Sequence, residues 1–281
     1  MKKIAVALLV LVSGQMRAGE QLLNQCHSIL VPGQNGCGGD SFLDNNVVNT
    51  GSFINFGTES DPSKIDFGQR NCVARFQEQY AQLNKATQAK QNIFYGVSQG
   101  TATLINWLTH KHDDAGKVVL RPHAEQEKIA QAVVLEAVLG SGNNAIMHYA
   151  TQAMPAVSYL PLSRAWSPWV AKAIKYPSYK PYGQQMLSSI QHLSPNISAI
   201  MKYDRNDPET SPDDARQAYI NARKAKHNRV YLMETGDGQQ RHIDLLGCWG
   251  RAKQFEKIAA LQAIYQKEGL PFANKTAVDY S

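Results

Sequence analysis

The chain has 281 residues, of which 43% are hydrophobic, and a formal net charge of +6 at pH 7. This length is enough for one large α/β domain or two small ones. No run of lysines and arginines interleaved with aromatic residues occurs, so the composition argues against nucleic-acid binding. After the N-terminal segment, no stretch is long and apolar enough to predict a stable membrane span.

The N-terminus is typical of a signal peptide. Two lysines precede the nine apolar residues Ile4–Val12, and a short, mostly polar stretch follows. Nine residues are too few to cross a bilayer, and the paired lysines argue against a buried first strand, which is the alternative. We therefore predict that residues 1–18 are removed on export. The mature domain would be 19–281, in a secreted or periplasmic protein.

Four cysteines, Cys26, Cys37, Cys72 and Cys248, are an even number in a chain predicted to be exported. This favours one or two disulfides, and the spacing does not separate the three possible full pairings. Four buried free thiols are the alternative. The spacing is too irregular for a structural zinc site, which requires close pairs of cysteines.

The predicted elements alternate between strands and helices. In chain order they are a strand at 26–31, a strand at 52–56, a helix at 67–90, a strand at 93–95, a helix at 101–108, a strand at 131–139, a strand at 197–203, a helix at 212–226, a strand at 229–233 and a helix at 247–267. The strands are continuous apolar runs, which favour a parallel sheet covered by helices on both faces. The predicted fold class is α/β.

One interval, residues 142–195, breaks the alternation and is rich in aromatic residues and prolines. A structureless interval of this length would be unusual in a compact domain, so we predict a helical cap insertion. The cap is either a packed subdomain or a lid whose apolar face lines the substrate pocket. Trp166 and Trp169, three residues apart, are the candidates for that pocket.

The segment around Ser98 places this serine between Gly96 and Gly100. The pattern G-x-S-x-G is weak by itself, since glycine and serine also form ordinary loops. Here a β-rich run precedes it and a helix-compatible run follows, which is the context of a nucleophile elbow. In such an elbow the strained turn exposes the hydroxyl and directs the N-terminus of the helix at the reaction centre.

A serine nucleophile needs a base to accept its proton and an acid to orient that base. Asp207 and His242 each follow a predicted strand, so the chain order is serine, acid, histidine. Asp204 and Glu136 are alternative acids. The two aspartates could instead cap the next helix.

His110 and His112 lie near a predicted helix end, beside two aspartates. Such a pair could suggest a metal site, but because of this position near a helix end we predict no metal there, and no other metal site is predicted.

These features resemble the α/β-hydrolase family of serine hydrolases, over nearly all of the chain from Cys26 onward. In that family the acid commonly follows a strand in a D-x-x-D-P-like turn, which Asp207-Pro208 matches. The resemblance also implies two oxyanion donors, the backbone amides of Gln99 and Gln34. Gln34 follows Gly33 in a sequence that reads Pro-Gly-Gln, where many members read His-Gly.

The resemblance implies a serine hydrolase that cleaves carboxylic esters of a small-molecule or lipid acyl substrate. Ser98 would be the nucleophile, His242 the base and Asp207 the acid, with an acyl-enzyme intermediate and no cofactor. A peptidase, amidase or thioesterase would use the same triad. A non-catalytic binding protein could keep the fold without the chemistry.

Overall fold

The computed structural model describes residues 27–31, 33, 50–53, 70–83, 92–153, 185–234, 260–261 and 263–270. The predicted signal segment, residues 1–18, lies outside these ranges, and so do Cys26, Cys37 and Cys248. Export and disulfide bonding therefore stay predictions. Among the described helices, none is both long enough and apolar enough to cross a membrane.

Eight strands and six α-helices are described in full. In chain order they are β1 (His27–Val31), β2 (Thr50–Phe53), α1 (Arg70–Gln82), β3 (Asn92–Val97), α2 (Gln99–Thr109), β4 (His110–His112), β5 (Val118–Leu120), α3 (His123–Ile129), β6 (Ala130–Glu136), α4 (Gly142–Ala153), α5 (Met186–Ser189), β7 (Ser198–Tyr203), α6 (Pro212–Lys224) and β8 (Val230–Glu234). A further helical segment, the C-terminal helical segment, occupies residues 260–261 and 263–267.

Six of these strands form one sheet in the order β2-β1-β3-β6-β7-β8, and every neighbouring pair is parallel. Their carboxyl ends therefore lie at one edge of the sheet, where loops bring functional residues together in open α/β folds. β3 is buried along its whole length, as its continuous apolar sequence predicts. The predicted parallel sheet is confirmed.

Both faces of the sheet are covered. One face packs against α1, α2 and α6, around an aromatic cluster in which the ring centroids of Phe76 and Tyr80 each lie 4.8 Å from that of Trp107. The other face packs against Leu261 and Tyr265 of the C-terminal helical segment. Burying each large apolar side chain contributes about 1.5–3 kcal/mol, so these two layers hold the edge with the serine turn in place.

Several elements either end at residues other than those predicted or were not predicted. The strand expected over 131–139 ends at Glu136, because Ala137 has φ 52° and donates its N–H to the Lys202 carbonyl at 3.1 Å. The antiparallel hairpin of β4 and β5, and the helix α3, were not predicted. His110 and His112 accordingly lie in β4. Of the predicted 67–90 helix, the described part is helical over Arg70–Gln82.

The predicted cap, 142–195, begins with α4 and ends with α5 and a 3₁₀ turn, Ile190–His192. Residues 154–184, with Trp166 and Trp169, lie outside the described part of the chain. The cap and its pocket therefore stay predictions.

Candidate active site

Ser98 occupies a sharp turn between β3 and α2, with φ 50° and ψ −119°. A non-glycine residue in this region costs on the order of 1–3 kcal/mol and is found mainly at functional sites. Two hydrogen bonds hold the turn: the Ser98 N–H donates to the Glu136 carbonyl at 2.9 Å, and the Thr101 N–H donates to the Ser98 carbonyl at 3.0 Å. The strand, turn and helix expected of a nucleophile elbow are all present.

Glycines allow the backbone to pack closely around this turn. A Cβ on Gly96 would lie 3.0 Å from the Thr101 Cα, so β3 and α2 pass too closely for a side chain. A Cβ on Gly33 would lie 3.1 Å from the Ser98 Cβ and 3.7 Å from its Oγ. Gly33, two residues after β1, therefore lies directly against the serine.

Of the two predicted oxyanion donors, only Gln99 lies within the described residues. Gln99 is buried and begins α2, where the first backbone N–H groups have no acceptor within the helix. Its side chain points elsewhere, with Nε2 3.1 Å from the sulfur of Cys72 on α1. Gln34 lies outside the described residues, but its neighbour Gly33 packs on Ser98.

Asp207 lies in the loop after β7 and is 2% exposed. Its Oδ1 accepts hydrogen bonds from the Glu209 N–H at 2.7 Å and the Thr210 N–H at 2.9 Å, and its Oδ2 accepts from the Thr210 hydroxyl. These donors fix the carboxylate in one orientation, as an acid that must orient a histidine requires. β6 separates β7 from β3, so Asp207 and Ser98 follow strands that lie roughly 10 Å apart.

The two alternative acids make different contacts. Asp204 shapes the same loop: its Oδ1 accepts from the Asn206 N–H at 2.8 Å, and its carbonyl accepts from the Asp207 N–H at 3.3 Å. Glu136 forms a buried ion pair with Lys202, in which Nζ lies 2.8 Å from Oε2. Asp204 and Asp207 thus both accept main-chain hydrogen bonds within this loop, and Glu136 has a partner within the sheet. The choice of Asp207 stays a prediction.

His242 lies outside the described residues. The strand before it in the chain, β8, pairs in parallel with β7, so β8 ends at the same edge of the sheet as β7, the strand that precedes Asp207. The catalytic roles of Ser98, Asp207 and His242 are not settled by these positions and stay predictions.

Sequence reasoning missed His148, on α4, whose Nε2 lies 2.7 Å from the carbonyl oxygen of Asp207. It also missed Asp214, which is 2% exposed and accepts from the Gly140 N–H at 2.8 Å and the Asn144 amide at 2.6 Å. Burial raises the pKa of Asp214. These contacts join α4, the first helix of the predicted cap, to the loop that contains Asp207 and to α6. No local pattern indicates them, because the partners lie about 60–75 residues apart in the chain.

His110 and His192 pack edge to face, with ring centroids 6.2 Å apart. Burial lowers the pKa of His110. Within the described part of the chain, no group of three or more histidine, cysteine, aspartate or glutamate side chains has the geometry of a metal site.

The parallel sheet and the strained serine turn after β3 together define an α/β-hydrolase fold. The predicted fold is therefore confirmed. No protein-family model matches the sequence, and no curated protein matches it closely enough to indicate a relationship.

Solved structures similar to this chain include an α/β-hydrolase enzyme from a Medee basin deep-sea metagenome library, with 12% identity, a TM-score of 0.48 and coverage of 90% of this chain and 91% of that chain. An esterase from Pyrococcus furiosus has 11% identity and a TM-score of 0.48, with coverage of 86% and 83%. An esterase from Rhodococcus sp. has 11% identity and a TM-score of 0.47, with coverage of 86% and 91%. Similarity at this level does not indicate a substrate or a site residue.

Proposed function

We propose that this protein is a serine hydrolase that cleaves carboxylic esters with Ser98 as nucleophile, His242 as general base and Asp207 as the acid that orients the base. The observation that carries the proposal is the backbone of Ser98, with φ 50° and ψ −119° at the junction of β3 and α2. A turn this strained is retained where it serves a purpose, and the nucleophile elbow is its established use in this strand-turn-helix context.

In the proposed reaction, His242 takes the proton of Ser98 as Oγ attacks the ester carbonyl carbon. The oxyanion that forms accepts hydrogen bonds from the backbone amides of Gln99 and Gln34. Gln99 lies at the N-terminus of α2, where the helix dipole also favours negative charge. Removing one such donor typically costs about 2.7–4 kcal/mol of transition-state stabilisation.

The tetrahedral intermediate then collapses. The C–O bond of the ester breaks, His242 gives its proton to the leaving alcohol, and the acyl group stays on Ser98. A water molecule, deprotonated by His242, attacks the acyl carbonyl and releases the carboxylic acid. Asp207 stabilises the imidazolium in both steps, and the three hydrogen bonds that it accepts from Glu209 and Thr210 keep it in place.

The choice of esters over amides and thioesters is tested by the purified protein with three sets of substrates. These are p-nitrophenyl esters of graded acyl length, the matching acyl thioesters, and aminoacyl p-nitroanilides. We expect kcat/KM to be highest for an ester, and Ser98→Ala to remove that activity. Ser188→Ala is the matched control, because Ser188 is an exposed serine on α5. A higher kcat/KM for a thioester or an anilide would overturn the ester assignment while keeping the triad.

A further inference from the structure

Three polar side chains lie buried together beneath the serine turn. Tyr95 on β3, Glu136 on β6 and Lys202 on β7 are 5%, 2% and 3% exposed. The Lys202 Nζ lies 2.8 Å from the Glu136 Oε2 and 2.7 Å from the Tyr95 hydroxyl oxygen, and the Tyr95 hydroxyl donates to the same Oε2. Nζ also lies 5.4 Å from the centroid of the Tyr95 ring. These three residues, termed the brace, join three adjacent strands.

The brace occupies an otherwise apolar layer. Its neighbours on this face of the sheet include Val97, Val134 and Ile200. Taking two charges out of water is costly, and apolar replacements of similar volume are often neutral or stabilising. Among the described residues, none donates a hydrogen bond to the second carboxylate oxygen of Glu136. Net stabilisation of the fold is therefore a weak explanation for these buried charges, and a role in positioning the strands is favoured.

Main-chain hydrogen bonds connect the brace to the serine. The Glu136 carbonyl accepts from the Ser98 N–H at 2.9 Å, and the Lys202 carbonyl accepts from the Ala137 N–H at 3.1 Å. Ser98 and Ala137 are the residues directly after β3 and β6, and both have positive φ, at 50° and 52°. Backbone strain of this kind persists only when the surroundings over-determine it. Glu136 and Lys202 supply those surroundings through both their carbonyls and their side chains.

We propose that Tyr95, Glu136 and Lys202 are positioning residues that fix the carboxyl ends of β3, β6 and β7 against one another and so hold Ser98 in its strained conformation. This inference rests on the proposed function, in which the Ser98 hydroxyl must meet the acyl carbon. Because small misplacements of a nucleophile are costly, loosening the brace lowers kcat more than it changes KM.

The test compares Glu136→Gln, Lys202→Met, Tyr95→Phe and the double variant Glu136→Gln/Lys202→Met, with a short p-nitrophenyl ester as substrate. We expect each charge-removing single variant to lose about tenfold or more in kcat, with little change in KM. Tyr95→Phe keeps the ion pair and loses less. In the double variant neither member of the ion pair carries a charge, so its Tm recovers toward that of the wild type while its kcat stays low.

Ile200→Ala is the matched control, because Ile200 is buried on the same face of β7, two residues before Lys202. It should lower Tm without lowering the kcat of the folded protein. Amide hydrogen exchange of the 92–108 peptide, corrected for each variant's global stability, should rise in the brace variants and not in the control. Brace variants that match Ile200→Ala in both kcat and exchange would overturn the inference. A wild type without any turnover would instead contradict the proposed function, and the exchange comparison would still test the brace.

Discussion

At the scale of single residues, the assignment of the catalytic acid must distinguish Asp207 from Asp204, which lies in the same loop. Asp207→Asn should lower kcat by about 10⁴-fold with the fold intact, because an amide orients the imidazole in the wrong tautomer. Asp204→Asn is the matched variant, since Asp204 is also buried and accepts a backbone hydrogen bond in the same loop. We expect Asp204→Asn to lower kcat far less. Steady-state kinetics that gave the large loss to Asp204→Asn instead would make Asp204 the acid.

His227 gives a pH-dependent prediction. It is 1% exposed, three residues after the end of α6, and burial lowers its pKa below the ordinary value of 6.5. The folded protein holds the ring neutral, whereas the unfolded chain binds a proton once the pH falls below about 6.5. His227 therefore makes the free energy of unfolding decrease as the pH falls from about 6.5 toward the folded-state pKa, by at most about 1.4 kcal/mol per pH unit.

The measurement is urea unfolding of the wild type and His227→Leu between pH 7.5 and 5.5. The variant should lose less stability on acidification than the wild type does. Val230→Ala is the control, because Val230 is buried and carries no titratable group, so it should lower the stability by the same amount across this pH range. Equal slopes for the wild type and His227→Leu would show that the buried ring does not take up a proton on unfolding.

At the scale of elements, one carboxylate holds the C-terminal helical segment to the sheet. Glu268 is 6% exposed on its side chain and accepts hydrogen bonds from the Ser198 hydroxyl at 2.6 Å, the Arg229 Nε at 2.5 Å and the Tyr231 hydroxyl. Burial acts to raise its pKa, but the hydrogen bonds from these three residues together outweigh it, so the pKa is lowered. These partners lie at the start of β7, just before β8 and within β8.

Glu268→Gln should therefore lower the free energy of unfolding by about 1–3 kcal/mol, measured by chemical denaturation at pH 7. A lowered carboxyl pKa stabilises the fold above its unfolded value of about 4.5, and that contribution is lost as the pH falls through the folded pKa. The difference between wild type and variant should accordingly shrink in acid. Asp213→Asn is the control, because its pair with Arg216 is exposed and should contribute little. A difference that did not depend on pH would contradict the role given to the charge.

The predicted cap gives a second prediction at this scale. If Trp166 and Trp169 line the acyl pocket, replacing either with alanine should change the preference for acyl length while turnover of the shortest ester is kept, because only longer chains would reach the removed ring. The measurement is kcat/KM across p-nitrophenyl esters from acetate to laurate. Equal losses of kcat/KM on every ester, together with a lower Tm, would instead support the interpretation that the cap is a packed subdomain.

At the scale of the whole molecule, the sequence predicted the sheet better than its surroundings. Strands such as β3 and β7 are mostly apolar runs, which favour buried strands of a parallel sheet. The G-x-S-x-G context located the serine turn. The end of β6 at Glu136 was missed, because it depends on a hydrogen bond from Ala137 to Lys202, some 65 residues away. The brace was missed for the same reason, since Tyr95 and Lys202 meet only after three strands align.

The hairpin of β4 and β5 escaped prediction for a local reason. β4 reads His-Lys-His, without apolar alternation. A signal was nevertheless present: Asp113 accepts hydrogen bonds from the Ala115 and Lys117 N–H groups, and Gly116 has φ 75°. Aspartate followed by glycine before a β-branched run is typical of a tight turn.

The proposal that Ser98 is an activated nucleophile is tested most directly by the reaction of the folded protein with a fluorophosphonate probe. Only a serine with a base and an oxyanion site beside it should react quickly. We expect one adduct per chain, mapped to Ser98, which Ser98→Ala abolishes with the fold intact and His242→Ala strongly suppresses. Folded wild-type protein that resisted the probe, even with detergent or an apolar interface present to open a lid, would contradict this proposal and favour a non-catalytic binding protein.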